Sequence, residues 1–175
     1  IKNAKSILND AGWKPGKDGI RVKGKIKLEF TLVSQSAGEF PSISEYLQTA
    51  WGNIGVDVNV ELSPLDELRK EKIVPHDYQV LLFGIGLGSD PDVYAYWHSS
   101  QVGDGGFNLS DYKSTVVDES LEAGRTRLDP ELRNAKYKTF TNQWLKDVPA
   151  LALYRNSTHY LQSRKVKGCL LYTSD

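Results

Sequence analysis

Apolar residues in the first sixty positions alternate between helical and extended spacing. Residues 4–11 carry an apolar helical face, and Gly12 follows at a position where helices commonly end. Between residues 26 and 32 every second position is apolar, which is the period of a half-buried strand. Residues 43–54 return to helical spacing, and valines at alternate positions of 56–60 predict another strand.

The rest of the chain continues this alternation. Its predicted elements are a short charged helix at 64–72, a strand at 78–85, helices at 114–126 and 129–148, and a closing strand at 150–154. The last helix has the clearest start, because Asp129 can cap it and Pro130 suits its first turn. The strand Tyr78–Ile85 is apolar on both faces, so we expect a central strand rather than an edge strand. Alternating helices and strands predict the α/β class.

Composition narrows the possible functions only slightly. The chain has 175 residues, of which 39% are apolar and 25% charged, as is ordinary for one globular domain or lobe. Lys plus Arg and Asp plus Glu both number 22, so there is no basic excess of the kind that nucleic-acid binders carry. Its apolar runs are too short to span a bilayer. Cys169 is the only cysteine, which excludes a disulfide framework and a paired-cysteine metal site.

The start of the chain is atypical of a complete protein. Met is absent, even at position 1, and no charged start leads into an apolar signal core. We therefore expect a piece of a longer protein, whose targeting signal would lie upstream.

Three glycines at alternate positions precede an aromatic cluster in the stretch "GIGLGSDPDVYAYWHSSQ". In an extended chain Gly84, Gly86 and Gly88 would point to one face and leave it bare. Such a face admits either a ligand or a second stretch of backbone, and both readings are open. Ser89 stands where a dinucleotide fingerprint needs its third glycine, and the P-loop lysine is missing, so no nucleotide site is predicted.

The two acidic residues that follow have a local explanation. Asp90 before Pro91 suits the N-cap of a short helix, with Pro91 at its first position. The alternative is that Asp90 or Asp92 anchors a cationic ligand. An EF-hand is excluded, because the later oxygen ligands and the closing Glu are missing.

The aromatic rings after these acids allow two interpretations. Tyr94, Tyr96 and Trp97 could pack on a ligand or fill a core, since large amphipathic rings suit both roles. A hydrolase that uses His98 and Asp90 with Ser99 or Ser100 is one alternative function, although no GxSxG motif is present.

Neither catalytic nor metal-binding residues are predicted. His76 and His159 stand far from His98 in sequence, so no zinc-binding spacing exists. We predict a non-enzymatic protein without a cofactor. A module that acts through protein contacts alone is a further alternative, and it would carry an exposed apolar patch without a pocket.

Four segments in order resemble one known family. They are "AKSILNDAGW", "GIGLGSDPDVYAYWHSSQ", "GGFNLSDYKSTVVDESLEAGR" and "DPELRNAKYKTFTNQWLKDVPALALY". Together the chain from Ala4 to about Gly168 resembles the solute-binding proteins of oligopeptide and dipeptide ABC transporters, solute-binding family 5. The resemblance implies a two-lobed, type II periplasmic-binding fold that closes by a hinge around its ligand.

The resemblance also implies how this chain is organised. Residues 1–155 would form most of the C-terminal ligand-binding lobe, a mixed sheet flanked by helices. Residues 156–168 would begin the segment that returns to the first lobe. The tail 169–175, "CLLYTSD", fits the family poorly and resembles translated adapter sequence, so we expect it to be non-native.

One side of the implied cleft would be lined by the glycines and the residues after them. The implied ligand-contacting residues are Gly84, Ile85, Gly86, Leu87, Gly88, Ser89, Tyr94, Trp97 and Asn108. Peptide binders of the family carry an Asp where this chain has Leu87, and a Trp where it has Gly84. That Asp pairs with the free amino group of the peptide, so the usual amine anchor is missing.

The resemblance implies the partners and the location as well. The ligand would be a peptide or another small solute, and the full-length protein would meet ABC-transporter permease subunits. The location would be periplasmic or the outer cell surface, with membrane contact only through a possible lipid anchor upstream. No nucleic-acid partner is implied.

Overall fold

A computed structural model of the chain describes residues 1–155 together with residues 157, 161, 163 and 165. The helices are α1 (Lys2–Asp10), α2 (Phe40–Gly52), α3 (Leu65–Leu68), α4 (Tyr94–Trp97), α5 (Thr115–Thr126) and α6 (Pro130–Asp147). The strands are β1 (Lys14–Pro15), β2 (Arg21–Lys23), β3 (Ile26–Lys27), β4 (Glu29–Gln35), β5 (Asp57–Ser63) and β6 (Val80–Leu82). A π-helical turn, Arg69–Ile73, continues α3, and a 3₁₀ turn, Ser99–Gln101, follows α4.

A three-stranded parallel sheet forms the centre of the first half of the chain. Its order is β5-β4-β6, so β4 is the middle strand. Helix α2 crosses from β4 to β5 and packs its apolar side on the sheet. The buried residues of this layer, which we call the sheet core, are Leu32, Leu47, Val56 and Val58. The alternating pattern at 56–60 arises because β5 buries one face more than the other. The single strand predicted at 26–32 is wrong, since Ile26 and Lys27 belong to β3 of a second sheet and only residues 29–32 belong to β4.

The prediction of a central strand at Tyr78–Ile85 is wrong. The strand is shorter, Val80–Leu82, and among the described residues it pairs only with β4, which makes it an edge strand. Its three residues are half-buried rather than covered on both faces. An apolar run indicates that both faces of a strand can be buried. It does not indicate which strands pair on either side of it, because those strands come from distant parts of the chain.

A small antiparallel sheet, β1-β2-β3, sits at the amino ends of β4 and β5 and is attached by Arg21. The Arg21 side chain is buried, and its Nε and Nη1 donate to the carbonyl oxygens of Ile54 and Trp13, each at 2.7 Å. Nη1 also donates to Asn9 Oδ1 at 2.7 Å. The two carbonyls follow the C-terminal ends of α2 and α1, where helix dipoles favour a positive charge. Arg21 thereby ties both helices to β2.

The second half of the chain packs around a separate cluster. Its buried residues, which we call the helix core, are Val117, Leu121 and Tyr137. Helices α5 and α6 contribute these residues, and the predicted N-cap of α6 is confirmed, because Asp129 Oδ1 accepts the Leu132 N–H at 2.9 Å.

The predicted closing strand is wrong. Residues 150–154 form no strand, and Leu151, Leu153 and Tyr154 are exposed. Helix α6 ends at Val148 in a left-handed conformation with φ of 51°, so the chain turns away from the helix without joining the sheet. The apolar spacing there predicted an extended segment but not a partner for it.

The α/β class is confirmed, with parallel and antiparallel pairing divided between two sheets. Among the described residues, no helix combines the length and apolar character that crossing a bilayer requires. The segment 156–168, predicted to return to a first lobe, is described at only four positions, and the tail 169–175 lies outside the described residues.

We expect Arg21→Met to lower the free energy of unfolding by about 2–4 kcal/mol, because charged hydrogen bonds are lost and carbonyl groups stay buried without donors. Urea denaturation followed by circular dichroism measures the effect. Lys25→Met is the matched control, since Lys25 is exposed, and it should change stability by less than about 0.5 kcal/mol. An equal effect of the two substitutions would contradict the role of Arg21.

Candidate functional site

Residues 84–89, which we call the glycine segment, connect the two cores. The segment leaves β6 at the carboxyl edge of the parallel sheet and leads to α4, which packs on the helix core through Tyr94 and Trp97. Ligands of open α/β sheets bind at the carboxyl ends of the strands. The glycine segment therefore occupies the edge of the sheet where a binding site is expected.

The glycines of this segment have no internal structural purpose among the described residues. None of Gly84, Gly86 and Gly88 has a positive φ, so their backbone would accept other residues. A Cβ added at Gly86 would meet no atom within 4 Å. At Gly84 and Gly88 the nearest atoms would be at the ordinary contact distances of 3.7 and 3.9 Å. Neither backbone conformation nor internal packing explains why side chains are missing here.

The two side chains between the glycines are apolar and exposed. Ile85 is 41% exposed and Leu87 is 62% exposed. Leu87 is the position where the family resemblance implies an amine-pairing Asp. An exposed aliphatic side chain at that position cannot form an ion pair with an ammonium group, so any ligand must be held differently.

Two ion pairs fix the end of the glycine segment to the helices of the second half. Arg133 Nη2 donates to Asp90 Oδ1 at 2.7 Å, and Arg125 Nε lies 2.8 Å from Asp92 Oδ2. The hydrogen bond from Arg133, together with the backbone N–H of Asp92, holds the pKa of Asp90 below its ordinary value of 3.8. These arginines come from α5 and α6, and sequence reasoning missed both because they lie far along the chain.

The predicted N-cap role of Asp90 needs correction. No helix begins at Pro91, since α4 starts at Tyr94. The side chain of Asp90 instead accepts the N–H of Asp92 at 2.8 Å, and that of Asp92 accepts the N–H of Tyr94 at 3.1 Å. Short acidic side chains form such local turns readily, and they compete with capping in the same sequence pattern.

Tyr94 is held by its neighbours on several sides. Its ring stacks on His98 with centroids 4.0 Å apart, and the guanidinium carbon of Arg125 lies 4.4 Å from its centroid. Its hydroxyl lies 3.2 Å from Ser100 Oγ. Because these contacts occupy the ring, Tyr94 supports the wall of the site rather than offering a face to a ligand.

Two other predicted contact residues are engaged by the rest of the protein, Trp97 while partly buried and Asn108 while fully buried. Trp97 packs against the helix core and lies edge-to-face on Trp144, with ring centroids 5.2 Å apart. Asn108 is a correction, because it is fully buried. Its amide donates to the carbonyls of His98 and Tyr112 at 3.2 and 2.8 Å, so it braces loops and has no surface for a ligand.

The structure does not assemble the hydrolase set. Asp90, its proposed acid, pairs with an arginine of α6, while His98 Nε2 lies 3.2 Å from Glu122 instead. Ser100 Oγ is 2.8 Å from His98 Nδ1, but the same nitrogen accepts the Ser100 backbone N–H at 3.0 Å. This arrangement caps the 3₁₀ turn that begins at Ser99. It explains His98 as a local structural residue.

The sequence analysis also gave Tyr96 no role of its own among the neighbouring aromatic residues. Its hydroxyl donates to the carbonyl oxygen of Gly86 at 2.8 Å. The only sequence signal was its membership of the aromatic cluster, which did not indicate a direction for the side chain.

Two cavities have linings that do not include the glycine segment. A cavity of about 400 Å³ lies between α2 and residues 153–154, and a polar cavity of about 410 Å³ lies beside Arg21. Among the described residues, no three His, Cys, Asp or Glu side chains are grouped to hold a metal ion.

The architecture is that of one lobe of a type II periplasmic-binding protein, with the glycine segment at the carboxyl edge of its sheet. Residues 1–107, more than half of the chain, match the family model for bacterial extracellular solute-binding proteins, family 5, middle region. The chain belongs to this family.

Individual relatives are similar over most of the chain but only part of their own length. Protein XP55 of Streptomyces lividans is 32% identical over 81% of this chain and 26% of its own. The oligopeptide-binding protein AppA of Bacillus subtilis is 27% identical over 95% of this chain and 31% of its own. The chain thus spans roughly a quarter to a third of the curated relatives it matches.

Solved structures agree with this assignment. AppA from Bacillus subtilis, in complex with a nonapeptide, superposes with a TM-score of 0.77 at 28% identity, covering 85% of this chain and 30% of that one. NikZ from Campylobacter jejuni, in complex with Ni(L-His), superposes with a TM-score of 0.76 at 29% identity, over the same shares of the two chains.

We expect Arg133→Gln to raise the pKa of Asp90 toward its ordinary value, because the strongest interaction of its ionised form is removed. The carboxyl chemical shift of Asp90, followed by NMR against pH, measures this. The pKa of Asp90 is lower in the folded than in the unfolded state. Its carboxylate therefore contributes stability that is fully present above the unfolded-state pKa and is lost as the pH falls through the folded-state pKa.

The control for this titration is Arg127→Gln, which removes an exposed arginine just after the end of α5. It should leave the pKa of Asp90 unchanged. An unchanged pKa in Arg133→Gln as well would mean that the ion pair does not form in solution.

Proposed function

We propose that the chain is the ligand-binding lobe of an extracellular solute-binding protein that delivers a peptide or another small solute to an ABC transporter. The observation that carries this proposal is the glycine segment. Within the described residues, neither the backbone conformation nor the packing requires glycine at these positions. We therefore infer that a ligand approaches this backbone closely. Backbone N–H and C=O groups can then bind an extended ligand as a sheet edge binds an added strand.

The ligands of similar proteins support a small solute enclosed between two lobes. AppA holds a nonapeptide and NikZ holds Ni(L-His), and both share this fold. We favour a peptide, because an unobstructed stretch of backbone suits a ligand that brings backbone of its own. Because Leu87 stands where an amine-pairing Asp is expected, we infer that recognition depends on this backbone and on apolar contacts rather than on a free amino group.

The proposal assigns the ligand contacts to the segment itself. They are the backbone and side chains of Gly84, Ile85, Gly86, Leu87, Gly88 and Ser89. Tyr94 and Trp97 support this surface from the helix core. No residue takes part in chemistry, and the ligand is released unchanged.

The remaining parts of the proposal concern the longer protein. Residues 1–155 form most of the C-terminal lobe, residues 156–168 begin the return to the first lobe, and the tail 169–175 is non-native. The protein works in the periplasm or at the outer cell surface, where it meets the permease. Any attachment of its own to the membrane would be through a lipid anchor upstream.

We expect Gly86→Val to weaken binding of the full-length protein at least about tenfold while changing its stability by less than about 0.5 kcal/mol. The added side chain has open space in the unbound protein but would occupy the position of the ligand. Calorimetric titration with an equimolar mixture of unmodified nonapeptides measures affinity, and thermal unfolding measures stability.

Gly52→Val is the matched control for this variant. Gly52 also has no neighbour within 4 Å of an added Cβ, but it lies at the end of α2, near the amino edge of the sheet. It should leave affinity unchanged. If Gly86→Val unfolds the protein and the folded fraction binds normally, the glycines serve internal packing and the proposed site is wrong.

We expect the isolated chain to bind nonapeptides only with millimolar affinity or not at all. Half of the proposed cleft would be missing, so little ligand surface can be buried. The same calorimetric titration tests this. A micromolar dissociation constant for the isolated chain would contradict a site shared between two lobes.

A further inference from the structure

The glycine segment has almost no means of holding its own position. Glycine loses more conformational freedom on ordering than any other residue, and alternate positions here carry no side chain that could pack. The side chains between them, Ile85 and Leu87, are 41% and 62% exposed. A binding surface made of such backbone needs support from elsewhere if it is to be ordered before the ligand arrives.

Both ends of the segment are anchored. At its start, β6 pairs with β4, and Ser34 Oγ donates to the carbonyl oxygen of Leu82 at 2.8 Å. At its end, the ion pairs of Asp90 and Asp92 attach the chain to α6 and α5. These contacts are made outside the segment, and none of them reaches its six residues.

A single side chain reaches the middle. The Tyr96 hydroxyl donates to the carbonyl oxygen of Gly86 at 2.8 Å. Among the described residues, this is the one hydrogen bond that residues 84–89 form. Tyr96 belongs to α4, where its N–H donates to Val93 O at 3.0 Å. Because Val93 and Trp97 pack on the helix core, Tyr96 extends from a supported element.

We propose that Tyr96 is a positioning residue for ligand binding, which acts by holding the Gly86 carbonyl and thereby ordering the ligand-facing backbone of the glycine segment. The inference rests on the proposed function of that segment. The bond from Tyr96 occupies one of the two lone pairs of the Gly86 oxygen, so the second lone pair and the other backbone groups of the segment stay available to a ligand. Tyr96 needs no contact with the ligand.

The test removes one oxygen atom. Tyr96→Phe keeps the ring and deletes the hydroxyl, and Tyr46→Phe is the control, since Tyr46 is 72% exposed on α2. Order parameters of the Gly86 and Leu87 amides in this chain, from ¹⁵N relaxation, should fall from about 0.85 to below about 0.6 in Tyr96→Phe alone. The unfolding midpoint should match that of the control.

Affinity of the full-length protein for the nonapeptide mixture is the second measurement. Loss of one neutral hydrogen bond should raise the dissociation constant about fivefold in Tyr96→Phe, with no change in the control. Unchanged order parameters, or unchanged affinity despite lower order parameters, would overturn the positioning role.

The two proposals fail differently in this experiment. If Gly86→Val weakens binding and Tyr96→Phe does not, the glycine segment binds the ligand but Tyr96 does not position it. If neither variant affects affinity, the ligand binds elsewhere and the proposed function of the segment fails with the positioning role.

Discussion

The candidate site depends on one constraint: the connection between two hydrophobic cores consists of backbone that carries few side chains. Such a connection cannot define its own path, because chain entropy opposes order and few groups are available to pack. Its path is set by contacts from both sides, namely β4 in the sheet core and the arginines of α5 and α6 beside the helix core. Exposed ion pairs contribute little to overall stability, and here their effect is to place a segment.

The prediction of the fold from sequence succeeded where a single element carries its own signal. The helical periodicity of residues 43–54 and the cap at Asp129 each depend on neighbours a few residues away, and they match α2 and α6. The extended pattern at 26–32 is divided between β3 and β4. Strand pairing, in contrast, does not depend on residues that are close in sequence. The runs 78–85 and 150–154 showed extended, apolar character, but which partner accepts a strand is decided by the whole chain.

The site followed the same rule. The alternate glycines could be identified from sequence as a surface without side chains. The structure shows that neither a positive φ nor close internal packing requires them. The burial of Asn108 and the direction of the Tyr96 hydroxyl could not be predicted, because each depends on a loop or helix that the local sequence does not place. Asp90 shows the limit most clearly, since one sequence pattern suits both a helix cap and a local turn.

The buried Arg21 and the proposed binding segment lie at opposite edges of the parallel sheet. At the amino edge, the buried Arg21 satisfies carbonyl groups after two helix ends, and its geometry leaves little freedom for change. Gly55 shows the tight fit there, since an added Cβ would lie 2.9 Å from the Arg21 side chain. At the carboxyl edge, Gly86 has open space around it. A substitution at the first edge acts on folding. If the glycine segment binds the ligand as proposed, a substitution at the second edge alters recognition without disturbing either core, and binding specificity can diverge while the fold is kept.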